Sequence, residues 1–412
     1  MTRPWQAKRT AHRRASPRRE TCICSPRPRS TPQLAMAQLR LTSDVPLAPR
    51  TTFELGGAAR FLIEVGSEDA LIDALRWGQA RAVPVFLLGG GSNVVVSDRG
   101  FDGLVVVLAL RGVTLRDECG RVSLRASAGE PWDELVARAV EADLAGIECL
   151  SGIPGLAGAT PVQNVGAYGQ EVADTIASVR TVDRKTLDVR TRAAVACGFG
   201  YRRSRFQVGA GRDEVVTEVT YALSPNGAPC LRYPELARAV RESGGDAPGL
   251  RAVRDAVVSL RRSKSMVLDA GDPNRRSAGS FFVNPIVARE VADEIAARAC
   301  EAGVIARSNE LPRFDVVERG GGARDLVKLS AGWLIERAGF PKGTRAGAVG
   351  VSSRHALALV HHGGGTAREL VAFACRVRDA VDARFGVRLR PEPVIVGDDL
   401  EALLGARAGE EA

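Results

Sequence analysis

Hydrophobic and polar positions follow two different spacings along this chain from about residue 45 onwards. The apolar run from Phe61 to Val65 is typical of a strand. Ser67 then predicts the N-cap of a helix, which has acidic residues in its first turn and apolar residues on one face. A buried strand, Val83 to Leu88, is predicted next, and it leads directly into a run of glycines. The pattern thus alternates between strands and helices along this part of the chain.

The clearest predicted helix lies near the C-terminus. Thr366 and Glu369 have the spacing of a capping box, and Gly386 marks the predicted C-terminal end. Apolar residues recur between these ends at the spacing of one helix face: Leu370, Phe373, Val377 and Val381. A strand running from Val387 to Val396 is predicted to follow.

Positive charge is concentrated at the N-terminus. The 412 residues carry a net charge of +9, but residues 1–35 hold nine Lys and Arg and a single acidic residue, so this segment accounts for +8 and leaves +1 for the rest. Its Arg, Pro and Ser content predicts a disordered tail over residues 1–38. Such a tail resembles an organelle transit peptide, but a translation start placed too early, with Met36 beginning the protein, is the interpretation we favour.

Composition narrows the class of protein. The length favours two or three domains, and no apolar run is long enough for a membrane-spanning helix. The eight cysteines are scattered without metal-ligand spacing, so we predict reduced cytosolic thiols and no metal site. The nearly neutral remainder of the chain gives no support to nucleic-acid binding.

The first segment with chemical content is a glycine run that consists of Gly89, Gly90, Gly91, Ser92 and Asn93. Backbone N–H groups of consecutive glycines can converge on an anion. The following Val94–Val96 predicts a strand, whereas a Rossmann fingerprint requires a helix there. A phosphate cradle and a plain turn between strands both fit, and the turn is favoured from this segment alone.

A second glycine-rich segment, residues 151–169, has few charges and several amide and hydroxyl side chains. It can wrap a flat polar cofactor or form a surface loop, and the two interpretations are evenly balanced. The candidate cofactor-binding residues in it are Gly155, Gly158, Ala159, Thr160, Gln163, Asn164 and Gly166.

Three single residues suggest catalytic chemistry. Arg202 stands among aromatic residues and can form a bidentate pair with a carboxylate. Ser280 stands between a glycine and two phenylalanines, which suits a hydroxyl presented to a ligand, and Asn284 follows four residues later. Glu392 is held between two prolines. A solvated strand end explains Arg202 in isolation, and a surface turn explains Glu392 equally well.

Two further residues, Tyr233 and Lys264, have ordinary explanations as a packing tyrosine and a solvated lysine. Histidine occurs only at position 12 and between residues 355 and 362, so a histidyl-linked flavin in the glycine-rich half is excluded.

Taken together, these segments resemble the UDP-N-acetylenolpyruvoylglucosamine reductase family. The matching stretches are LLGGGSNVVVSDRGFDG, GIPGLAGATPVQNVGAYG, FGYRRSRF, RRSAGSFFVNP, KLSAGWLIERAGFPKG and RPEPVIVG. They occur in the family's order and extend from about residue 45 to the C-terminus. The resemblance implies an FAD-binding domain of the p-cresol methylhydroxylase (PCMH) type with two α+β subdomains, followed by an α+β substrate-binding domain.

The resemblance also implies the domain boundaries. The FAD-binding domain would cover residues 45–225, a connecting segment 226–269, and the substrate-binding domain 270–386. A C-terminal strand over residues 387–400 would carry the catalytic glutamate.

By the same matching, Arg202, Ser280 and Glu392 fall on catalytic positions. Both glycine-rich segments would hold FAD non-covalently, with NADPH as the reductant. Tyr233, Lys264 and Asn284 would contact the sugar-nucleotide substrate, although Lys264 precedes Ser265 where the family often has proline.

The implied activity is reduction of the enolpyruvyl group of that sugar nucleotide during peptidoglycan precursor synthesis, by a cytoplasmic monomer with no nucleic-acid or membrane partner. Two alternatives remain at this point. One is another PCMH-type flavin oxidoreductase, acting on an alcohol or hydroxy acid. The other makes the basic tail the functional part, binding nucleic acid or anionic lipid.

Overall fold

The computed structural model describes residues 40–118, 120–243, 248–316 and 325–405. The predicted basic tail lies outside these residues. In the described part, the helices are α1 Glu68–Ala80, α2 Trp132–Glu141, α3 Pro234–Glu242, α4 Leu250–Ser263, α5 Arg289–Glu301, α6 Ala331–Arg337, α7 Ala367–Phe385 and α8 Asp398–Leu404.

The strands of the N-terminal half are β1 Thr42–Pro46, β2 Ala58–Val65, β3 Val85–Leu88, β4 Val94–Val96, β5 Phe101–Leu108, β6 Val113–Glu118, β7 Arg121–Ser127, β8 Leu144–Ala145, β9 Gly166–Ala167, β10 Gln170–Glu171, β11 Ile176–Asp183, β12 Val189–Ala193 and β13 Glu214–Pro225. Those of the C-terminal half are β14 Ile286–Ala288, β15 Arg313–Asp315, β16 Leu326–Leu329, β17 Arg345–Ala346, β18 Val349–Val351, β19 Leu359–His361 and β20 Val394–Val396.

The first sheet has the order β1-β2-β5-β3, with β5 parallel to both β2 and β3. Helix α1 packs on it through a face that includes the buried Leu71 and Leu75. The predicted N-cap is confirmed, because the Ser67 hydroxyl accepts a hydrogen bond of 3.1 Å from the Ala70 N–H. The glycine run Gly89–Asn93 connects β3 to β4, so it joins two strands as the sequence predicts.

The second sheet is antiparallel, with the order β12-β11-β13-β7-β6 and β8 paired to the end of β13. Helix α2 buries Trp132, Leu135 and Val136 against this sheet. The second glycine-rich segment begins just beyond α2 and β8, and its backbone is tied back to α2 by a 3.0 Å hydrogen bond from the Trp132 N–H to the Gly155 carbonyl.

The C-terminal half contains two three-stranded antiparallel sheets, β14-β16-β15 and β17-β18-β19, packed with α5, α6 and α7. The capping box of α7 is confirmed, since the side chains of Thr366 and Glu369 each accept a hydrogen bond from the other residue's N–H. Its C-terminal end is also confirmed: Gly386 has φ +69°, which favours glycine. Separate cores beneath the different sheets confirm the α+β fold class.

The C-terminal strand is shorter than predicted. Strand β20 covers only Val394–Val396, and α8 takes up residues 398–404. Glu392 therefore lies just before this strand, because the prolines on either side of it cannot donate ladder hydrogen bonds. Strand β20 pairs in parallel with β4, which brings Val394–Val396 beside the strand that follows the first glycine run.

Contacts among the described residues group them into one compact unit. The predicted boundaries at 225 and 269 remain predictions, and helices α3 and α4 occupy the segment between them. In the part of the chain that the structure describes, no helix is both long enough and apolar enough to cross a membrane.

Candidate active site

A cleft of about 690 Å³ lies between the two glycine-rich segments and reaches the residues around Ser280 and Glu392. Apolar side chains such as Phe86, Leu108 and Trp132 line part of it, and arginines line another part. A volume of this size, with apolar walls and a few polar groups, is typical of a site for a small molecule or cofactor.

The two glycine-rich segments approach each other closely. A Cβ atom on Gly90 would lie 3.1 Å from the Cα of Gly155, and one on Gly158 would lie 2.4 Å from the Cβ of Ala128. These positions therefore keep their backbones close together only because neither has a side chain. Backbone atoms rather than side chains therefore line this part of the cleft.

Most of the predicted cofactor-binding residues line this cleft. They are Gly89, Gly90, Gly91, Ser92, Asn93, Gly155, Gly158, Ala159, Thr160, Gln163 and Gly166. Within the described residues, the N–H groups of Gly90, Gly91 and Ser92 donate to no protein acceptor. These free donors on glycine backbone suit the phosphate groups of a dinucleotide such as FAD.

Asn164 is an exception to this prediction. It does not line the cleft, because its fully buried amide is used internally. Its Nδ2 donates to Glu171 Oε2 and to the Gly200 carbonyl, each at 2.9 Å, and its Oδ1 accepts from the Ala173 N–H at 3.2 Å. Asn164 thus fastens the second glycine-rich segment to the turn that carries Arg202.

Arg202 and Glu392 meet in the cleft. Arg202 Nε lies 3.4 Å from Glu392 Oε1, and its Nη2 donates a 2.7 Å hydrogen bond to the Gly166 carbonyl. Arg202 has a backbone φ of +51°, a conformation that costs energy in a residue with a side chain. The position of the guanidinium is therefore fixed by the conformation of the turn and by the Gly166 carbonyl, as well as by the Glu392 carboxyl group.

Ser280 is brought to the same cleft by a short antiparallel pairing. Phe282 pairs with Pro391, and the Glu392 N–H donates a 2.8 Å hydrogen bond to the Phe281 carbonyl. Both phenylalanines are buried, so they anchor this backbone and leave the serine at its edge facing the cleft. Three predicted catalytic residues from distant parts of the sequence thus line one cavity.

Burial raises the pKa of the Glu392 carboxyl, and the nearby Arg202 and Arg390 only partly oppose this effect. Its side chain is 14% exposed. A carboxyl with a raised pKa holds its proton to higher pH and can donate a hydrogen bond.

The three predicted substrate contacts do not line this cleft. Lys264 binds Glu235 at 2.7 Å and lies 5.9 Å above the ring of Tyr168, which in turn contacts Tyr233 edge to face at 5.5 Å. This aromatic and cationic group forms beside the cleft, at the C-terminal end of α4.

Asn284 is also outside the cleft. Its Oδ1 accepts a 2.9 Å hydrogen bond from the Ala331 N–H at the start of α6, and its Nδ2 donates to the hydroxyl of Tyr201 at 3.4 Å. In this structure the amide therefore connects α6 to the tyrosine that lies beneath Arg202, 5.8 Å from ring centroid to guanidinium carbon.

Sequence reasoning missed two arginines that line the cleft. Arg261 is 7% exposed and Arg184 is half-buried. Neither forms an ion pair with a carboxylate among the described residues, and the Nε of each lacks a hydrogen-bond partner. Burial lowers the pKa of Arg261 to about 10 and also lowers that of Arg184. Buried cations without a carboxylate suit an anionic ligand.

A signal for Arg261 exists in the sequence. It continues the buried face of α4, which consists of Leu250, Val253, Val257 and Arg261. An arginine on an apolar face at helical spacing is a candidate for a buried cation. Arg184 offers no such signal, because it follows Asp183 and precedes Lys185 in what reads as a solvated turn.

The histidines of the described residues do not line the cleft. Burial lowers the pKa of His355 to about 4, so this imidazole stays neutral at physiological pH. No group of three or more potential metal-ligating side chains is found among the described residues.

Comparisons with known proteins agree with this architecture. The profile of an FAD binding domain matches residues 59–190, and that of the UDP-N-acetylenolpyruvoylglucosamine reductase C-terminal domain matches residues 272–396. The UDP-N-acetylenolpyruvoylglucosamine reductase of Thermobifida fusca is 46% identical over 357 residues, which cover 86% of this chain and 97% of that protein. The protein of the same name from Nocardia farcinica is 47% identical over 358 residues, which cover 86% of this chain and 89% of that protein.

A solved structure shares the fold. The crystal structure of UDP-N-acetylenolpyruvylglucosamine reductase from Thermus caldophilus aligns with a TM-score of 0.57 at 24% identity, and covers 87% of this chain and 99% of that chain.

The fold, the glycine-lined cleft and the matched FAD binding domain define an FAD-dependent oxidoreductase. Identity of this extent further shows that the chain belongs to the UDP-N-acetylenolpyruvoylglucosamine reductase family. The predicted family and the predicted cofactor FAD are therefore confirmed. Membership of this family sets aside the alternative of a flavin enzyme acting on an alcohol or hydroxy acid.

Proposed function

We propose that the protein uses NADPH to reduce the enolpyruvyl group of UDP-N-acetylenolpyruvoylglucosamine to give UDP-N-acetylmuramate for peptidoglycan synthesis. The observation that carries this proposal is the meeting of Arg202, Ser280 and Glu392 in the cleft that the two glycine-rich segments line. Bound FAD would supply the hydride that reaches the terminal vinyl carbon of the substrate.

The residues of the chain would hold the cofactor by complementary chemistry. The free N–H groups of Gly90, Gly91 and Ser92 suit its phosphates. The guanidinium groups of Arg184 and Arg261, which have no carboxylate partner among the described residues, would offset negative charge in the cleft. Side chains that border the cleft, such as Trp132, exclude water.

Arg202 and Glu392 would stabilise the negative charge that develops on the substrate. After hydride addition, electron density is shared between the carbon alpha to the carboxylate and the carboxylate itself. The Arg202 guanidinium attracts this charge, and a protonated Glu392 can donate a hydrogen bond to the same oxygens. Groups fixed in position before the reaction need no reorganisation when the charge appears.

Ser280 would deliver a proton to the carbon alpha to the carboxylate. A serine hydroxyl is a weak acid, so it donates only to a strongly basic centre such as this carbanion. Its place at the edge of the short pairing with Pro391 keeps it in the cavity that contains Arg202 and Glu392.

The groups beside the cleft would bind the sugar nucleotide. Lys264 offers a cation, and Tyr168 and Tyr233 offer aromatic rings within one cluster. Lys264 lies one helical turn beyond Arg261, so a ligand that extends out of the cleft along α4 would reach it. Asn284 would keep Tyr201 in place beneath Arg202.

The site is built by a single chain, which supports a monomer as the working form. We propose a cytoplasmic location because both NADPH and the sugar nucleotide are charged, water-soluble metabolites of the cell interior. No nucleic acid or membrane is needed as a partner for this chemistry.

Exchange of Ser280 for Ala tests the proposal. We expect S280A to keep the rate of flavin reduction by NADPH but to lower the rate of flavin reoxidation by the enolpyruvyl nucleotide roughly 100- to 10,000-fold, the usual contribution of a general acid. Stopped-flow absorbance of the flavin separates these two half-reactions.

Matched measurements with Ser277→Ala control for loss of a neighbouring cleft hydroxyl. If S280A retained both half-reactions, Ser280 would not be the proton donor. If the unsubstituted protein, reduced by NADPH, were not reoxidised by the nucleotide, the proposed substrate would be wrong.

A further inference from the structure

Two neighbouring cysteines lie outside the cleft. Cys149 is fully buried and Cys230 is half-buried, and both are free thiols. The thiol of Cys149 donates a hydrogen bond of 3.1 Å to the carbonyl oxygen of Cys230. The mechanism above uses neither residue.

A buried polar pair holds the two cysteine backbones side by side. Glu148 Oε1 accepts a 2.8 Å hydrogen bond from the Cys230 N–H, and Gln170 Oε1 accepts one of 2.9 Å from the Cys149 N–H. Gln170 Nε2 in turn donates to Glu148 Oε1 at 3.2 Å. Glu148 is only 1% exposed, so these hydrogen bonds are shielded from water and keep the two cysteine backbones together.

The guanidinium of Arg232 contacts the sulfur of Cys230, the more exposed of the two cysteines. Arg232 Nε donates to the Sγ of Cys230 at 3.3 Å. The neighbouring Cys149 thiol lowers the pKa of the Cys230 thiol, and Arg232 adds to this effect against the opposing effect of burial. For the buried Cys149, the neighbouring Cys230 thiol and burial raise the pKa. Cys230 is therefore the more acidic thiol of the pair.

Other cysteines of the described residues lack this arrangement. Burial raises the pKa of Cys197 to about 11, and burial also raises that of Cys375. The sulfurs of these two donate to the backbone carbonyls of Ala193 and Leu403, and the sulfur of Cys300 lies 3.9 Å from the Ser308 hydroxyl.

We propose that Cys230 and Cys149 form a redox site that hydrogen peroxide converts to a disulfide. The Cys230 thiolate attacks the peroxide, so that an S–O bond forms, the O–O bond breaks, and the departing hydroxide is protonated to water. This step oxidises the Cys230 sulfur by two electrons to a sulfenic acid. The Cys149 sulfur then displaces the second oxygen, which leaves as water with the Cys149 proton, and an S–S bond forms. A dithiol reductant reverses the change.

This disulfide would form directly beneath the proposed nucleotide-binding group. Cys149 and Cys230 pack in one apolar cluster with Tyr168 and Leu236, and Cys230 is three residues before Tyr233. Closing an S–S bond to about 2.05 Å draws the two backbones together and shifts the segment that leads to Tyr233. Resting on the proposed function, we infer that the disulfide weakens nucleotide binding and leaves the flavin environment unchanged.

Peptide mapping of the full-length protein tests the chemistry independently of activity. After titration with hydrogen peroxide, we expect a peptide pair linked through Cys149 and Cys230, which dithiothreitol separates. C149S should stop at a sulfenic acid on Cys230 that dimedone traps, and C230S should leave Cys149 unmodified. C197S is the matched control and should give the same linked pair as the unsubstituted protein.

Two results would overturn the site. One is oxidation of Cys375 at peroxide concentrations that leave Cys230 untouched. The other is a Cys230 that passes to sulfinic acid with Cys149 still reduced. The flavin absorbance spectrum of each variant verifies that it is folded.

Kinetics of the oxidised protein test the coupling. We expect the disulfide form to show a KM for the nucleotide that is severalfold higher, with unchanged flavin reduction by NADPH, and full recovery after reduction. C230S should show no response to peroxide. An unchanged KM in a fully cross-linked sample would overturn the coupling, whereas no turnover before oxidation would instead count against the proposed substrate.

Discussion

Glu392 shows how a single carboxyl group acquires its properties from its surroundings. The backbone around it is held by two prolines and by the hydrogen bond to Phe281, and its side chain faces Arg202 at 3.4 Å. Because burial outweighs the nearby cations, the folded protein keeps this proton at pH values where the unfolded chain, with its ordinary value of 4.5, has released it.

This raised pKa predicts a pH-dependent loss of stability. The contribution of Glu392 is fully present below pH 4.5 and is lost as pH rises through the raised pKa, since the unfolded state then binds fewer protons than the folded state. E392Q cannot titrate, so its melting temperature should rise relative to that of the unsubstituted protein as pH is increased from 4.5 to 8.

Thermal unfolding followed by circular dichroism at several pH values measures this difference. Glu141, on the exposed end of α2, supplies the control E141Q, which removes a charge at the surface. A melting-temperature difference for E392Q that stays constant across this range would show that Glu392 does not hold its proton.

The positions of the two glycine-rich segments are set by the strands and the helix that flank them. Strands β3 and β4 fix both ends of the first segment, and the Trp132–Gly155 hydrogen bond fixes the second against α2. The distance between the two backbones is therefore determined by sheet and helix packing, and a side chain between them must displace one of them.

Two substitutions in the first glycine-rich segment test whether binding depends on the close approach of the two backbones or only on the number of glycines. A Cβ on Gly90 would lie 3.1 Å from Gly155, whereas one on Gly89 would lie 3.7 Å from the Leu156 side chain, an ordinary contact. We expect G90A to lower the affinity for FAD about 10-fold, equivalent to roughly 1.4 kcal/mol, and G89A to change it much less.

Titration of deflavinated protein with FAD, followed by quenching of tryptophan fluorescence, measures these affinities, since Trp132 borders the cleft. Equal affinities for the two variants would mean that close approach at Gly90 is not required to bind the cofactor.

At the scale of the whole molecule, contacts between the two ends of the sequence complete the active site. Strand β20 pairs with β4, and the Asp98 carboxylate, in the turn after β4, accepts hydrogen bonds of 2.8 and 3.0 Å from Ala367 and Arg368 at the start of α7. A carboxylate there satisfies free N–H groups and interacts favourably with the helix dipole.

Loss of this cap should destabilise the protein. We expect D98A to lower the free energy of unfolding by about 1 kcal/mol and D98N to lower it less, because the amide oxygen can still accept one of the two hydrogen bonds. Asp102 gives a matched control, because its side chain is 87% exposed and its ion pair is with Arg60 on the surface, so D102A should cost little.

Urea denaturation of the three variants provides the comparison. Similar losses for D98A and D102A would show that the cap does not connect the halves of the molecule energetically.

Local features were predictable because their causes are local. The N-cap at Ser67, the capping box of α7 and the strand after Asn93 depend on residues within a few positions of each other, and all three are confirmed. The end of the chain was predicted less well, since the prolines around Glu392 and the pairing of β20 with β4 confine the strand to Val394–Val396.

The sequence alone therefore determined the α+β class, the family and the positions of the two glycine-rich segments, because these follow from short-range spacing and from the order of motifs along the chain. Only the tertiary structure decided that Arg261 and Arg184 enter the cleft, that Asn164 fastens a loop instead of lining it, and that Glu392 is buried beside Arg202. These properties depend on which distant segments pack together, since burial and charge pairing arise only when those segments meet.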